Sequence, residues 1–145
     1  MVLGNGYSSI PPPRAKNARL TVTHSLDQYE YLMWKYSELK NIVRTPPKVI
    51  RMMKYGACGD VVRFHTICHP ELTEIYKTSY INGRKAVTKE LLGMIKTPIA
   101  LAVWFLDDGS ISLEKGGRDY YAIQLHTENF TLEGGNKMLA QWLRE

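Results

Sequence analysis

Apolar and polar residues alternate most cleanly over residues 17–24, NARLTVTH. Ala18, Leu20 and Val22 point one way, while Asn17, Arg19, Thr21 and Thr23 point the other. That period of two predicts a strand with one buried face and one polar, hydrogen-bonding face. The spacing then changes to helical over residues 26–43, with Ser25 as the cap, Asp27 in the first turn, and Leu32, Tyr36, Leu39 and Val43 on one stripe. Pro46-Pro47 ends this helix. Residues 48–55 and 61–68 read as two strands, joined as a hairpin through the Gly-Ala-Cys-Gly-Asp run at 56–60. Pro70 opens a further helix over 71–80, and a loop at 82–85 leads to the apolar stretch 91–95.

Thr97-Pro98 restarts the chain as a helix, with Thr97 as cap and Pro98 at the first helical position. Residues 99–106, IALAVWFL, are apolar on every side, which predicts a helix buried all round. Alternation returns over 120–126, with Tyr121, Ile123 and Leu125 on one face and Tyr120, Ala122, Gln124 and His126 on the other. An amphipathic helix from about residue 131 closes the chain, using Leu132, Met138, Leu139 and Trp142. Helices interleaved with antiparallel hairpins make an α+β class.

A pseudo-repeat runs through this pattern at a constant offset of 103 positions, which brings Leu3–Ser9 over Leu106–Ser112 and, without a gap, Leu20–Thr23 over Ile123–His126. Helix follows strand in both copies. The expected organisation is a first repeat over 1–96 and a second over 97–145. The counterparts of 97–103 and of 44–96 fall outside the chain, so the first motif helix is expected to lack its start and the second repeat its hairpin and last helix.

Composition narrows the function. The net charge of +5 is uneven: residues 1–96 carry 15 Lys+Arg against 7 Asp+Glu, and residues 97–145 carry 4 against 7. Basic charge gathered in one stretch favours a polyanion, nucleic acid before membrane, since no long basic amphipathic helix is present. Two cysteines in 145 residues exclude a disulfide scaffold. Cys58, His65, Cys68 and His69 match no zinc spacing and are read as structural. No segment is long and apolar enough for a membrane span, and no secretion signal is visible, so a bacterial cytoplasmic or an organellar location is expected.

Asp107 and Asp108 stand at the C-terminal end of the apolar helix, with Gly109 where a left-handed cap would fall. The helix dipole is negative there, and each carboxylate costs about 0.3–1 kcal/mol. A divalent cation would offset that cost; two solvated side chains in a turn are the alternative. The run PIALAVWFLDDGS at 98–110 resembles the second motif of the LAGLIDADG homing endonucleases, most closely the subgroup with a "WFxDDG" variant. NARLTVTHSLDQYEYLMWKYSEL, Thr45-Pro46-Pro47-Lys48, Arg63-Phe64-His65-Thr66, His69-Pro70 and the 80–85 stretch fit the same family, over essentially the whole chain.

The resemblance implies a LAGLIDADG fold of pseudo-twofold αββαββα repeats, with two motif helices side by side above a saddle of antiparallel strands that binds double-stranded DNA. It implies Mg²⁺-assisted phosphodiester hydrolysis of both strands by a monomer with pseudo-twofold symmetry. The metal-binding acid would be Asp108, with the backbone carbonyl of Asp107 beside it. Position 5, where the first motif's acid would stand, is Asn5, a degenerate counterpart that offers a neutral oxygen and no charge. One acid out of two implies nicking, feeble cleavage or none. The saddle's polar faces would carry Arg19, Thr21, Thr23, Tyr120, Gln124 and His126, with Lys48, Arg51 and Arg63 contacting phosphates or guanine edges. A solvated sheet face is the alternative for these residues. The rival function is a non-cleaving binder, either an intron RNA maturase with RNA as its partner or a DNA-binding regulator, and a third is an inactive remnant. A reverse-transcriptase palm is excluded, because its acids sit in a β-hairpin and here a helix precedes them.

Overall fold

A computed structural model describes residues 6–54, 57–95, 97–114, 120–127 and 135–144. The chain divides into two compact units, one built from residues 4–76 and one from residues 77–145. This division follows packing, whereas the expected boundary at 96/97 follows the sequence offset.

The first unit holds β1 (Gly6–Ser9), β2 (Arg19–Ser25), α1 (Tyr29–Glu38), β3 (Lys48–Lys54) and β4 (Ala57–His65), and α2 (Pro70–Ser79) carries the chain onward. The four strands form one antiparallel sheet in the order β1-β2-β4-β3. The alternation in β2 is realised as expected: Ala18, Leu20 and Val22 are buried, together with Leu32 of α1, Val43, and Val62 and Phe64 of β4. Beyond the end of β4 the Thr66 and His69 N–H groups donate to the Leu20 and Ala18 carbonyls at 3.0 and 3.1 Å, and side chains take the matching donors. Thr66 Oγ1 accepts from the Leu20 N–H at 2.9 Å, and Thr73 Oγ1 accepts from the Ala18 N–H at 2.9 Å. Buried backbone donors are expensive to leave unpaired, and the two threonines remove that cost.

Two expectations change in this unit. The single helix over 26–43 is instead a 3-10 turn at Leu26–Gln28, α1, and a second 3-10 turn at Lys40–Ile42, and Ser25 makes no side-chain cap bond. Ser37 Oγ donates to the Trp34 carbonyl at 2.7 Å, a bond that competes with the helical ladder just before α1 stops. The hairpin turn is also displaced. Lys54 pairs with Ala57, so β4 begins at Ala57 and residues 57–60, expected as turn, lie within the strand. The intervening 55–56 lie outside the described residues.

The second unit holds β5 (Tyr80–Ile81), β6 (Arg84–Lys85), α3 (Lys89–Met94), α4 (Pro98–Asp108), β7 (Gly109–Glu114), β8 (Tyr120–Leu125) and α5 (Lys137–Trp142). Residues 82–85, expected as loop, make a tight hairpin. Asn82 and Gly83 adopt φ of 51° and 75°, the two positive angles of a type I′ turn, so Arg84 and Lys85 pair back onto Ile81 and Tyr80. Thr88 caps α3 by accepting from the Leu91 N–H at 3.1 Å. Val87, Leu91, Leu92, Val103, Trp104 and Leu139 are buried. The start expected for the last helix, including Leu132, lies outside the described residues.

α4 is not buried all round. Only Val103 and Trp104 are buried, while Ile99 and Leu106 are 54% and 55% exposed. An apolar sequence states what a helix can bury, and only one side of α4 is covered here. The apolar face of β8 is likewise open, with Tyr121 74% and Ile123 72% exposed. Yet the hairpin β7–β8 reproduces the register of β1–β2 at the expected offset. Gly6↔Val22 and Ser8↔Leu20 in one correspond to Gly109↔Leu125 and Ile111↔Ile123 in the other, each shifted by 103 positions. Among the described residues no helix is long and apolar enough to cross a membrane.

Candidate active site and nucleic-acid face

The second unit carries an acidic centre at the end of α4. Asp107 and Asp108 both belong to the last helical turn, and Asp108 is half-buried. Burial pushes the Asp108 carboxyl above its usual range, the neighbouring Asp107 carboxylate adds to the rise, and Lys85 opposes it. Lys85 is drawn in from β6. Burial lowers its ammonium below the usual lysine range, and Asp108 and Asp107 partly restore it. The three groups therefore share one electrostatic centre. His126, directly after β8, donates its backbone N–H to the Asp108 carbonyl at 3.0 Å, and its Nε2 lies 3.2 Å from Ser110 Oγ.

Gly109 is not a left-handed cap. Its φ of −90° and ψ of 160° are extended, and the chain passes straight from α4 into β7. The glycine is needed for space: a Cβ there would overlap the ring and the carbonyl oxygen of Phe105. This close passage fixes Asp108 at the junction between helix and strand.

The donor set suits a hard divalent cation. Two adjacent carboxylates offer the oxygen donors such an ion takes, and burial, then the charge of Asp107, raises the Asp108 pKa. Among the described residues no group of three His, Cys, Asp or Glu forms a closed cage. Mg²⁺ keeps several waters and takes one or two carboxylates plus phosphate oxygens, so a pair of acids is a donor set it can use.

The first unit presents a polar sheet face whose membership follows from register. Thr21 pairs with His65, Thr23 with Arg63 and Lys48 with Arg63, so these residues, with Arg19, share the face opposite the core. Arg63 Nε donates to Thr23 Oγ1 at 2.8 Å and its Nη2 to Met52 Sδ at 2.8 Å. Thr21 Oγ1 and His65 Nδ1 are hydrogen-bonded at 2.8 Å. Burial, then the charges of Arg19 and Arg63, hold His65 below the usual histidine range. Arg51 does not join this face. It pairs with Asp60 on the opposite side of the sheet, one residue out of phase with Lys48 and Arg63. In the second unit, Tyr120 and Gln124 of β8 are exposed on the face that also carries Ser110 and Ser112.

The profile of the LAGLIDADG DNA endonuclease family matches residues 1–145. The chain belongs to this family. Protein RecA of Mycobacterium shimoidei is 36% identical over 118 residues, covering 80% of this chain and 26% of that protein. Cytochrome b mRNA maturase bI2 of Debaryomyces hansenii is 27% identical over 129 residues, covering 86% of this chain and 46% of that protein. The homing endonuclease I-WcaI, solved bound to its DNA recognition sequence, superposes with a TM-score of 0.82 at 22% identity, covering 99% of this chain and 62% of that one. The chain thus spans about a quarter to a half of these two sequence relatives, and the structural likeness establishes the α+β LAGLIDADG fold.

Within this LAGLIDADG chain the structure brings Asp107, Asp108 and His126 together, and gathers Arg19, Thr21, Thr23, Lys48 and Arg63 on one face. Asn5 lies outside the described residues. Two members of these clusters were missed from sequence. Lys85 joins the acids through the β5–β6 hairpin, and the Asn-Gly pair at 82–83 was the signal for that turn. His65 joins the basic face because it continues the period of two from Arg63.

Proposed function

We propose that this chain supplies the DNA-cutting machinery of a site-specific homing endonuclease, hydrolysing phosphodiester bonds of double-stranded DNA with Mg²⁺. The observation that carries the reading is the Asp107–Asp108–Lys85 centre at the end of α4. Asp108 and the carbonyl of Asp107 would hold the cation, which when bound supplies an activated water and charge stabilisation at the phosphate. Lys85 contributes a half-buried positive charge beside the same carboxylates, suited to stabilising charge that develops on a phosphate or leaving oxygen. Its lowered pKa also suits it to hold or release a proton nearer neutrality than an ordinary lysine. His126 fixes the Asp108 backbone through its N–H. Arg19, Thr21, Thr23, Lys48 and Arg63 on one unit, and Tyr120 and Gln124 on the other, are read as DNA contacts. Residues 1–96 and 97–145 are read as the two repeats, and Asn5 as the weaker half-site.

A second reading is a non-cleaving nucleic-acid binder that acts on intron RNA. Asn5 in place of an acid favours it, as does the likeness to the cytochrome b mRNA maturase. The two readings separate in one assay on a supercoiled plasmid library carrying candidate sites, with Mg²⁺ or with chelator. The endonuclease reading expects Mg²⁺-dependent nicked or linear product and none in chelator. Nucleic-acid binding that is equal in both conditions, with no cut product, would replace it with the binder.

A further inference from the structure

The polar face of the first unit contains a concave site that the catalytic reading does not use. A cavity of about 290 Å³ is lined by Thr45, Pro46, Lys48, Ile50, Arg63, Phe64 and His65. Three of these are basic or can become so, and they come from two adjacent strands in fixed register. We propose that this cavity is a proton-linked phosphate site: a backbone phosphate of bound DNA seats among Lys48, Arg63 and His65, and His65 takes up a proton as it does so. This rests on the DNA-binding reading of the sheet and adds to it a specific site and a pH dependence.

The geometry sets the direction. His65 is held through Nδ1 by Thr21, and no hydrogen bond to its Nε2 is found among the described residues. Arg63 is anchored by Thr23 and Met52 through Nε and Nη2, and neither bond uses Nη1. The groups that face His65 are positive or neutral: Arg19 and Thr21 from β2, Arg63 from its own strand, Lys48 from β3, and Tyr7, which pairs with Thr21 from β1. On the described positions of this face the paired strands carry no Asp or Glu, since Asp60 falls on the opposite side. In the free protein the imidazole therefore sits among like charges and stays neutral, which agrees with its lowered pKa. A phosphate brings negative charge against the same group and reverses the balance, so the protonated form becomes favoured. A group whose pKa rises on binding takes up a proton, and affinity then increases as pH falls through the window between the free and bound values.

The test uses the whole chain and a mixed-sequence DNA duplex, with affinity measured by fluorescence anisotropy at fixed salt near pH 7.5 and near pH 5.5, a range where His is the side chain that ordinarily titrates. The expected result is binding about three- to tenfold tighter at the lower pH, corresponding to a pKa rise of roughly half to one unit. His65→Gln should flatten this dependence, whatever it does to the affinity itself. Nuclear magnetic resonance titration of the His65 ring in the wild-type protein gives a second readout that needs no variant: its pKa should rise on adding duplex. Inorganic phosphate alone, at equal phosphate concentration, should leave it in place. A flat wild-type profile, or a slope unchanged in His65→Gln, would overturn the proposal. So would a ring pKa moved as far by inorganic phosphate, which would make the cavity a site for the free anion. Loss of duplex binding at both pH values would overturn the DNA-binding reading itself, and this proposal with it.

Discussion

Replacing Asp108 with Asn should remove cleavage and raise stability together, a combination that a structural residue would not give. In the folded chain burial and Asp107 raise the Asp108 pKa above the unfolded value of 3.8. The folded state therefore holds this proton more tightly than the unfolded chain does. The penalty for ionising Asp108 is absent below that unfolded value, grows through the window up to the raised folded value, and is fully present at neutral pH. Asn removes it. Burial and the charge of Asp107 set the direction, and the wrong end of the helix dipole contributes about 0.3–1 kcal/mol. Loss of the attraction to Lys85 subtracts about 0.2–1 kcal/mol, and the exposed half of the group screens every one of these contributions.

The net expectation for Asp108→Asn is a gain of about 0.5 kcal/mol, or roughly 1–2 °C in Tm for a chain of this size at neutral pH. The gain should shrink as pH falls through the raised folded value and vanish in acid below the unfolded value. Cleavage with Mg²⁺ should fall at least about 100-fold, since a group that holds the metal directly matters more than one behind it, while duplex affinity in chelator stays unchanged. Lys85→Met provides the opposite control: carboxyl titration by nuclear magnetic resonance should show the Asp108 pKa rising further, because the opposing charge has gone. Retained cutting by Asp108→Asn would refute the catalytic assignment, and a lowered Tm at neutral pH would refute the electrostatic account.

Two further perturbations test how the supporting structure is held. Gly109→Ala is permitted by its backbone angles and forbidden by Phe105, so it should cost about 1–3 kcal/mol by thermal melting and reduce cleavage by shifting Asp108. Lys35 of α1 is 1% exposed, with Nζ 3.0 Å from His24 Nε2 and 4.2 Å from the centre of the Tyr31 ring. Lys35→Ala should cost roughly 2–4 kcal/mol in urea unfolding, and Lys35→Met, which keeps the packed stem, distinctly less.

The parts of the fold that were legible are those in which local period and tertiary environment agree. The β2 alternation reports a strand with α1 over one face, and Pro70 and Pro98 mark helix starts because their fixed φ and missing N–H suit the first turn. Where the two disagree, sequence misleads. Gly56 and the Gly59-Asp60 pair carry turn chemistry, yet 57–60 extend β4 because β3 pairs along its whole length. Ile99 and Leu106 are as apolar as any core residue and remain exposed, since burial depends on what lies opposite. The two hairpins separate these causes directly. They share one register at an offset of 103 positions, while Leu20 is 6% exposed and its counterpart Ile123 is 72% exposed. Local sequence determines the pairing, and the covering helix determines the burial.

The candidate site divides along the same line. Asp107 and Asp108 could be read from their place at the end of an apolar run, because a helix terminus is a local feature with its own electrostatics. Arg19, Thr21, Thr23 and Arg63 could be read from strand phase. Arg51 falls outside this set for the same reason: it stands three positions from Lys48 on one strand, so the period of two already puts the two on opposite faces. Lys85 lies more than twenty residues from Asp108, and no periodicity connects them; they share a site because an Asn-Gly turn folds β6 back on β5 within the same unit. The charge pattern argues against a passive solvated turn. A lysine that loses hydration to sit beside two carboxylates at the negative end of a helix is an arrangement that costs stability at each group taken singly. The proposed cation and phosphate would complete the set, which is the chemistry that the proposed cutting of DNA requires.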